Sequence, residues 1–400
     1  MPRLWAGIDA GKAHHHCVAI DEDGRRVLSR RVANNETELL ALITDVLGIA
    51  ESEEVVWATD LNQGGAALVI SLLVDHGQPV LYIPGRTVHH ASRTYRGDGK
   101  SDAKDAAIIA DQARMRRDLQ PIRGADEIAV ELRLLVSHRT DLVCDRTRAF
   151  NRLRANLLQY FPALEAAFDY SRRKGSLVLL TKYQTPDGIR RAGAPRIEAW
   201  LRKQGVRSPA ELAQTAVEAA NRQHATITGQ KTGAMLVAKL AADIVRLTRE
   251  IEETEDLIEA RFREHGHAEI LLSVPGFGPQ LAAEFIAATG GTLTRYESAD
   301  RLAGVAGLAP VPRDSGRTSG NRHRPKRYDR RLLRACYLAA QVAANHCPLS
   351  QAYYTRKRAE GKSHKQAVLA LARRRINVIW ALLRDGRPFE QRASAAAQAA

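Results

Sequence analysis

Two carboxylates, Asp102 and Asp105, stand three apart in GDGKSDAKDAAIIADQAR, at the head of a segment that reads as a helix. Residues three apart share a helix face, so both can be aimed at one point, where their repulsion must be tolerated or neutralised. A divalent cation neutralises it, and carboxylate oxygens are the donors that Mg²⁺ or Mn²⁺ takes. The competing account is local: Asp102 serves as an N-cap and Asp105 as a first-turn acid favoured by the helix dipole. Asp9 in GIDAGK and Asp60 in ATDLNQGG join the same chemistry if the fold gathers them. Four carboxylates can hold metal ions that bridge phosphate oxygens and stabilise attacking and departing oxygens. His14, His15 and His16 are poorer metal candidates, because successive strand residues face opposite sides. Asp21 and Asp23 in DEDG are turn residues.

A second group of residues suits phosphate rather than metal. Residues 313–334 hold nine Lys or Arg against only Asp314 and Asp329, a density fitted to a nucleic-acid backbone. Arg317, Arg322, Arg324, Lys326 and Arg327 are its candidate contacts, and Ser315, followed by Gly316, places a hydroxyl among them. A lone Ser–Gly is also an ordinary turn. The linker GRTVHHASRTYRGDGKS adds Arg93, Arg96 and Lys100 beside the acidic helix, as backbone contacts or as charges that solvate a loop. In VPGFGPQLAAEF, Gly276 and Gly278 resemble a helix-hairpin-helix turn whose backbone N–H groups approach a phosphate; a structural turn between packed helices is the alternative.

These residues need positioning elements. LWAGID, HCVAID and RVLSRRV, separated by AGK and EDG, predict a three-stranded antiparallel meander. NETELLALITDVLGI, EVVWATD, GGAALVISLLVDHG and PVLYIP then alternate helix, strand, helix, strand, which makes an α/β sandwich. Asp9 ends the first strand and Asp60 the fourth, so neighbouring strands would present both at one carboxyl edge. That order, with acids at those ends and on a following helix, matches the ribonuclease-H-like fold. Further on, AVELRLLVSHRTDLVCDRTRAFNRLRANLLQYFPAL is a long helix. Leu240, Ile244, Leu247, Ile251 and Ile258 repeat as an antiparallel helix pair or coiled coil requires, within one chain or between subunits.

Composition bounds the partners. The 400 residues are 44% hydrophobic, enough for real cores, and the net charge of +15 suits a polyanionic partner. Cys17, Cys144, Cys336 and Cys347 have neither disulfide-framework nor zinc-knuckle spacing. The N-terminus lacks an apolar signal core and no stretch is long enough to span a membrane, which leads us to expect a soluble, cytoplasmic protein.

Taken together, GIDAGK, ATDLNQGGAALV, KSDAKDAAIIA, VPGFGP and GLAPVPRDSGRTSGNRHRPKRYDRRLLRA resemble the insertion sequence 110 family of DEDD transposases, relatives of the pilin-gene invertases. The resemblance implies a RuvC-like DEDD domain at 1–125, a helical or coiled-coil linker at 126–268, a mostly helical serine transposase domain at 269–385 and a disordered tail at 386–400. It implies that Asp9, Asp60, Asp102 and Asp105 are the metal-binding tetrad and Ser315 the nucleophile. It further implies DNA recombination by a homo-oligomer, a dimer or tetramer, guided by a non-coding bridge RNA. Asp60 stands where the family commonly has Glu, one methylene shorter. Pro325 and Tyr328 stand where Ser and Gly are usual, as changes in a DNA-contacting loop. The stretch 165–225 is longer than expected and has no assigned role. Two rival functions use the same residues: a Holliday-junction-type nuclease that employs water, and a non-catalytic nucleic-acid-binding protein.

Overall fold

A computed structural model describes residues 4–51, 54–95, 99–122, 126–294, 296–317, 319–323 and 325–390. The chain forms two compact units, 1–125 and 126–400.

The first unit is built on strands β1 (Leu4–Ala10), β2 (His14–Ile20) and β3 (Arg26–Ala33), then helix α1 (Glu36–Ile49) and strand β4 (Val55–Thr59). A short 3₁₀ turn (Gly64–Ala66) leads into α2 (Ala67–Asp75), β5 (Val80–Tyr82), α3 (Gly85–Ser92), α4 (Asp102–Met115) and β6 (Gln120–Ile122). The sheet order is β3-β2-β1-β4-β5-β6, with β1–β2–β3 antiparallel and β1–β4–β5 parallel. This is the arrangement expected of a ribonuclease-H-like domain. Two details differ from the sequence reading. The segment taken as a linker is helical over α3, and a sixth strand, β6, pairs antiparallel with β5 at the sheet edge. A three-residue strand carries too little periodicity to be read. Leu39, Leu42, Ile43 and Val46 of α1 recur at helical spacing and pack with Val55 and Trp57 of β4 on one face of the sheet.

Among the described residues the second unit is helical apart from one small hairpin. Its frame is α5 (Glu127–Tyr160), followed by α6 (Pro162–Ala167), α7 (Lys174–Lys182), α8 (Pro186–Lys203), α9 (Pro209–Asn221) and α10 (Gln230–Arg263). Then come α11 (Ala268–Ser273), α12 (Pro279–Thr289), α13 (Ala299–Val305), strands β7 (Val311–Pro312) and β8 (Arg322–His323), α14 (Arg330–His346), α15 (Pro348–Ala359) and α16 (His364–Asp385). Helices α5 and α10 run antiparallel within the chain. Arg139 binds Glu255, Arg261 binds Glu131, Leu142 packs on Leu247 and Ile251, and Tyr160 lies against Gly233. The periodic face of α10 is therefore used inside the subunit.

Two cores share these long helices. The 165–225 stretch makes one of them: Leu177, Leu180, Ile189, Ile197, Leu212 and Ala216 bury against Leu153 and Leu157 of α5 and Val237 and Ile244 of α10. The other joins Leu132 and Val136 of α5 and Ile258 and Phe262 of α10 to Phe285, Leu332 and Ile376. Residues on either side of the boundary expected at 268 thus belong to one hydrophobic core. Phe389, within the expected tail of 386–400, packs on this core and its N–H donates to Ser273 Oγ at 2.7 Å. Residues 391–400 lie outside the described residues.

Candidate functional site

In the first unit the acids are placed by the sheet. The β1–β4 register ends on Ile8 opposite Thr59, so Asp9 and Asp60 follow side by side at the carboxyl edge. Ala10 N–H reaches Asp60 Oδ1 at 3.5 Å. Gly85, at the head of α3, lies close to the same carboxylate, and Asp60 raises the pKa of Tyr82 beyond what burial does.

Helix α4 brings the other two acids, and Gly7 decides how closely. A Cβ built on Gly7 would collide with Ala106 O and Ala110 N of α4 and stand 2.9 Å from Ala110 Cα. The missing side chain lets the helix backbone lie directly on β1. Asp102, one turn before Ala106, and Asp105, immediately before it, are thereby carried to the edge that bears Asp9. The cap of α4 is Ser101, whose Oγ accepts from Lys104 N at 3.2 Å. Asp102 is the first helical residue and is not needed as the cap.

The electrostatics register the convergence. The Asp9 carboxyl is pushed up to about 6, first by burial and then by repulsion from Asp60, Asp102 and Asp105, with Lys100 opposing. Asp60 is also raised, by burial first and then against the hydrogen bonds that lower it, with Asp105 adding repulsion. Four oxygen donors with no thiolate among them suit a hard cation. Among the described residues no three acidic, His or Cys side chains form a ready-made metal cluster, so a cation would have to draw these carboxylates together.

Sequence reasoning set His16 aside together with His14 and His15. The β1–β2 register sets it directly opposite Asp9, and its pKa is lowered by burial first, with Asp102 opposing. Its Nε2 lies 2.9 Å from Ser29 Oγ. His15 is buried and His14 is exposed. Counting the register back through the short AGK turn would have found His16, because cross-strand neighbours share a face.

Ser315 belongs to the second unit. It sits in the loop of the β7–β8 hairpin, where Arg313 N–H donates to Asn321 O at 2.8 Å and Asn321 N–H to Asp314 Oδ1 at 2.9 Å. Ser315, Arg317, Arg322, Lys326 and Arg327 are all exposed. The two local acids have structural work: Asp314 closes the hairpin, and Asp329 caps α14 by accepting from Arg331 N and Leu332 N. Among the described residues neither acid forms an ion pair with Arg317, Arg322, Lys326 or Arg327. Tyr328 packs against Gly307, whose φ is +68°.

Other expected contacts divide. Arg93 and Lys100 are exposed, while Arg96 and Arg324 lie outside the described residues. Gly276 has φ +87° and faces α14, where a Cβ would collide with Ala339 O and meet Ala343 N at 3.0 Å. Pro275 O accepts from the buried Arg375 guanidinium. Packing on α14 thus accounts for the glycine at 276; Gly278 is exposed at the start of α12.

With this geometry in view, comparison with known proteins identifies the chain. Residues 6–162 match a family model for a DEDD transposase, and residues 268–355 match "Transposase IS116/IS110/IS902 family". An insertion element IS900 42 kDa protein of Mycobacterium paratuberculosis is 61% identical, over 96% of each chain. This chain belongs to the IS110 transposase family. An IS116 insertion element protein of Streptomyces clavuligerus is 50% identical over 97% of this chain and 96% of its own. The solved structure of T. thermophilus RuvC in complex with Holliday junction substrate aligns at 20% identity and a TM-score of 0.23, covering 30% of this chain and 99% of that one. As an IS110-family transposase the chain is an enzyme of DNA transposition. Among the described residues no helix is long and apolar enough to cross a membrane.

Proposed function

We propose that this transposase cuts and rejoins DNA through Ser315, assisted by a divalent cation held by Asp9, Asp60, Asp102 and Asp105. The observation that carries the reading is the mutual repulsion centred on Asp9 at a sheet edge, set beside an exposed serine among cations in the other unit. Mg²⁺ or Mn²⁺, when bound, would polarise a phosphate and offset its charge. The acids hold that cation, and Gly7 keeps two of them in reach of the other two.

At the serine, Oγ attacks the scissile phosphorus while the P–O bond to the departing strand breaks. The serine's proton ends on the departing hydroxyl, and the new phosphoserine ester keeps the bond energy for rejoining. Arg317, Arg322, Lys326 and Arg327 bind flanking phosphates and offset developing charge. Reversal by a second strand's hydroxyl restores the serine and completes exchange without ATP. The two sites lie in different units, which suits a homo-oligomer in which the acids of one subunit meet the serine of another. The net charge of +15 suits a second polyanion, the bridge RNA that the family resemblance implies.

The test is a denaturing gel of wild type and Ser315→Ala with supercoiled DNA, Mg²⁺ and copurifying RNA. A protein–DNA adduct from the wild type alone supports the serine; nicked DNA without an adduct from both assigns the chemistry to water.

A further inference from the structure

The cation-rich hairpin is matched in the second unit by another segment of similar positive density. Between residues 356 and 374 the chain carries seven Lys or Arg and one acid, Glu360. This stretch lies beyond the part that matches the family model. It comprises the end of α15, the following turn and the first half of α16.

Tyr353 gathers three of these cations around one ring. Its ring has the Arg356 guanidinium at 5.1 Å, the Lys357 ammonium at 5.6 Å and the Arg374 guanidinium at 4.9 Å. Two come from α15 and one from α16, so side chains from both helices converge on a single aromatic. Cation–π attraction holds them there and reduces the freedom each loses on binding. Neutralisation is partial: Glu360 pairs with Lys357 at 2.7 Å and lies 3.8 Å from Arg356. Arg373 pairs with Asp300. Arg358, Lys362, Lys365 and Arg374 have no carboxylate partner among the described residues; Arg358 donates only to Lys362 O, at 2.6 Å.

A cluster of like charges fixed around one ring costs the folded chain repulsion that a polyanion relieves. We propose that the α15–α16 surface is a second DNA-binding site, which takes the phosphate backbone of duplex DNA independently of the Ser315 hairpin. Duplex rather than single-stranded nucleic acid is indicated by what the aromatics do. The Tyr353 ring is covered by cations and packs on the core, and Tyr354 Oη is hydrogen-bonded to His364 Nδ1 at 2.8 Å. Neither offers the open face on which an unstacked base is held. The guanidinium forks of Arg358 and Arg374 match phosphate oxygens whatever the sequence.

The inference rests on DNA being the substrate, and its test requires no cleavage. Full-length wild type and the variant Arg358→Gln/Lys362→Gln/Lys365→Gln/Arg374→Gln are titrated with a fluorescent duplex from 50 to 300 mM KCl, with thermal melting as the folding check. Each lost phosphate contact lowers the slope of log affinity against log salt by about 0.9, so the slope is expected to fall by about 3 to 4. An unchanged slope overturns the inference. If the fourfold variant melts early, Lys362→Gln/Lys365→Gln is read instead, with an expected fall of about 2. A parallel titration with single-stranded RNA of equal length decides the occupant: loss confined to RNA overturns the assignment to DNA. Wild type that binds no duplex at all refutes the proposed function as well; steep wild-type binding with an unaltered variant refutes only this site.

Discussion

The acidic edge and the serine hairpin are held in place by opposite means. At the edge, buried strands fix Asp9 and Asp60, and a helix pressed against Gly7 fixes Asp102 and Asp105. In the hairpin, two two-residue strands and a few hydrogen bonds hold an exposed serine. Charge differs in the same way. The acids repel one another and are half-buried or exposed at the rim of a core, whereas the hairpin's cations face solvent. Rigid elements bring the four carboxylates into one another's field, and small side-chain adjustments would suffice for a cation to gather them. A site that meets a long polyanion can be ordered by its partner.

The contrast is broken most directly at the serine. Ser315→Ala should abolish the covalent adduct and recombination, a loss of several orders of magnitude in rate with binding retained. Its melting temperature should stay at the wild-type value, since an exposed hydroxyl contributes no more than about 0.5 kcal/mol. An adduct of wild-type yield from the alanine variant removes Ser315 from the chemistry.

Glycine substitutions set the two regions against each other in stability. Gly7→Val forces α4 away from β1 and should cost at least about 1–3 kcal/mol, with loss of metal-dependent cleavage. Gly316→Ala meets nothing within 4 Å and should leave the denaturation midpoint unchanged. Equal urea midpoints for the two variants would mean that α4 does not rest on Gly7.

The Asp9 carboxyl gives a pH signature that the hairpin lacks. Its folded pKa, about 6, exceeds its ordinary value of 3.8, so the folded state holds this proton more tightly than the unfolded chain. Stability therefore falls as pH rises from about 4 to about 6, and the penalty is complete above that window. Without divalent metal, Asp9→Asn should raise the melting temperature at pH 8 and leave it unchanged near pH 3.5. Millimolar Mg²⁺ should shrink the gain by stabilising the wild type. A gain independent of pH would assign the effect to something other than charge.

The smallest effect belongs to the hairpin's cations. Arg317→Ala with Arg322→Ala should weaken duplex binding in low salt and reduce the salt slope by about 2, without altering thermal stability. Fluorescence anisotropy at several KCl concentrations reads this, and an unaltered slope returns both residues to solvated surface.

Local pattern announced most of the elements that carry these sites. The alternating runs around GIDAGK produced β1 to β3, and the three-and-four spacing of Leu240 to Ile258 produced α10. Asp9 and Asp60 could be put on one edge because parallel strands end at the same side of a sheet. His16 was legible in principle, yet it required the register of a hairpin as well as the existence of its strands. The helix α3 was missed because its eight residues, GRTVHHAS, bury only Val88 and so have no apolar stripe to read.

Sequence by itself determined the kinds of chemistry available: four acids suited to a hard cation, a serine among cations, and an excess of positive charge. Those follow from residue type, which no fold alters. Only the tertiary structure decided which of these groups share a field. Gly7 is one glycine among 28 until a helix 99 positions later is found lying on it, and Asp102 is a plausible cap until Ser101 is found to hold that place. The same holds for Tyr353, whose three cations come from two helices. Periodicity reports the face an element buries, but not the partner it buries against. Convergence is a property of the packed chain because it depends on contacts between residues far apart in sequence.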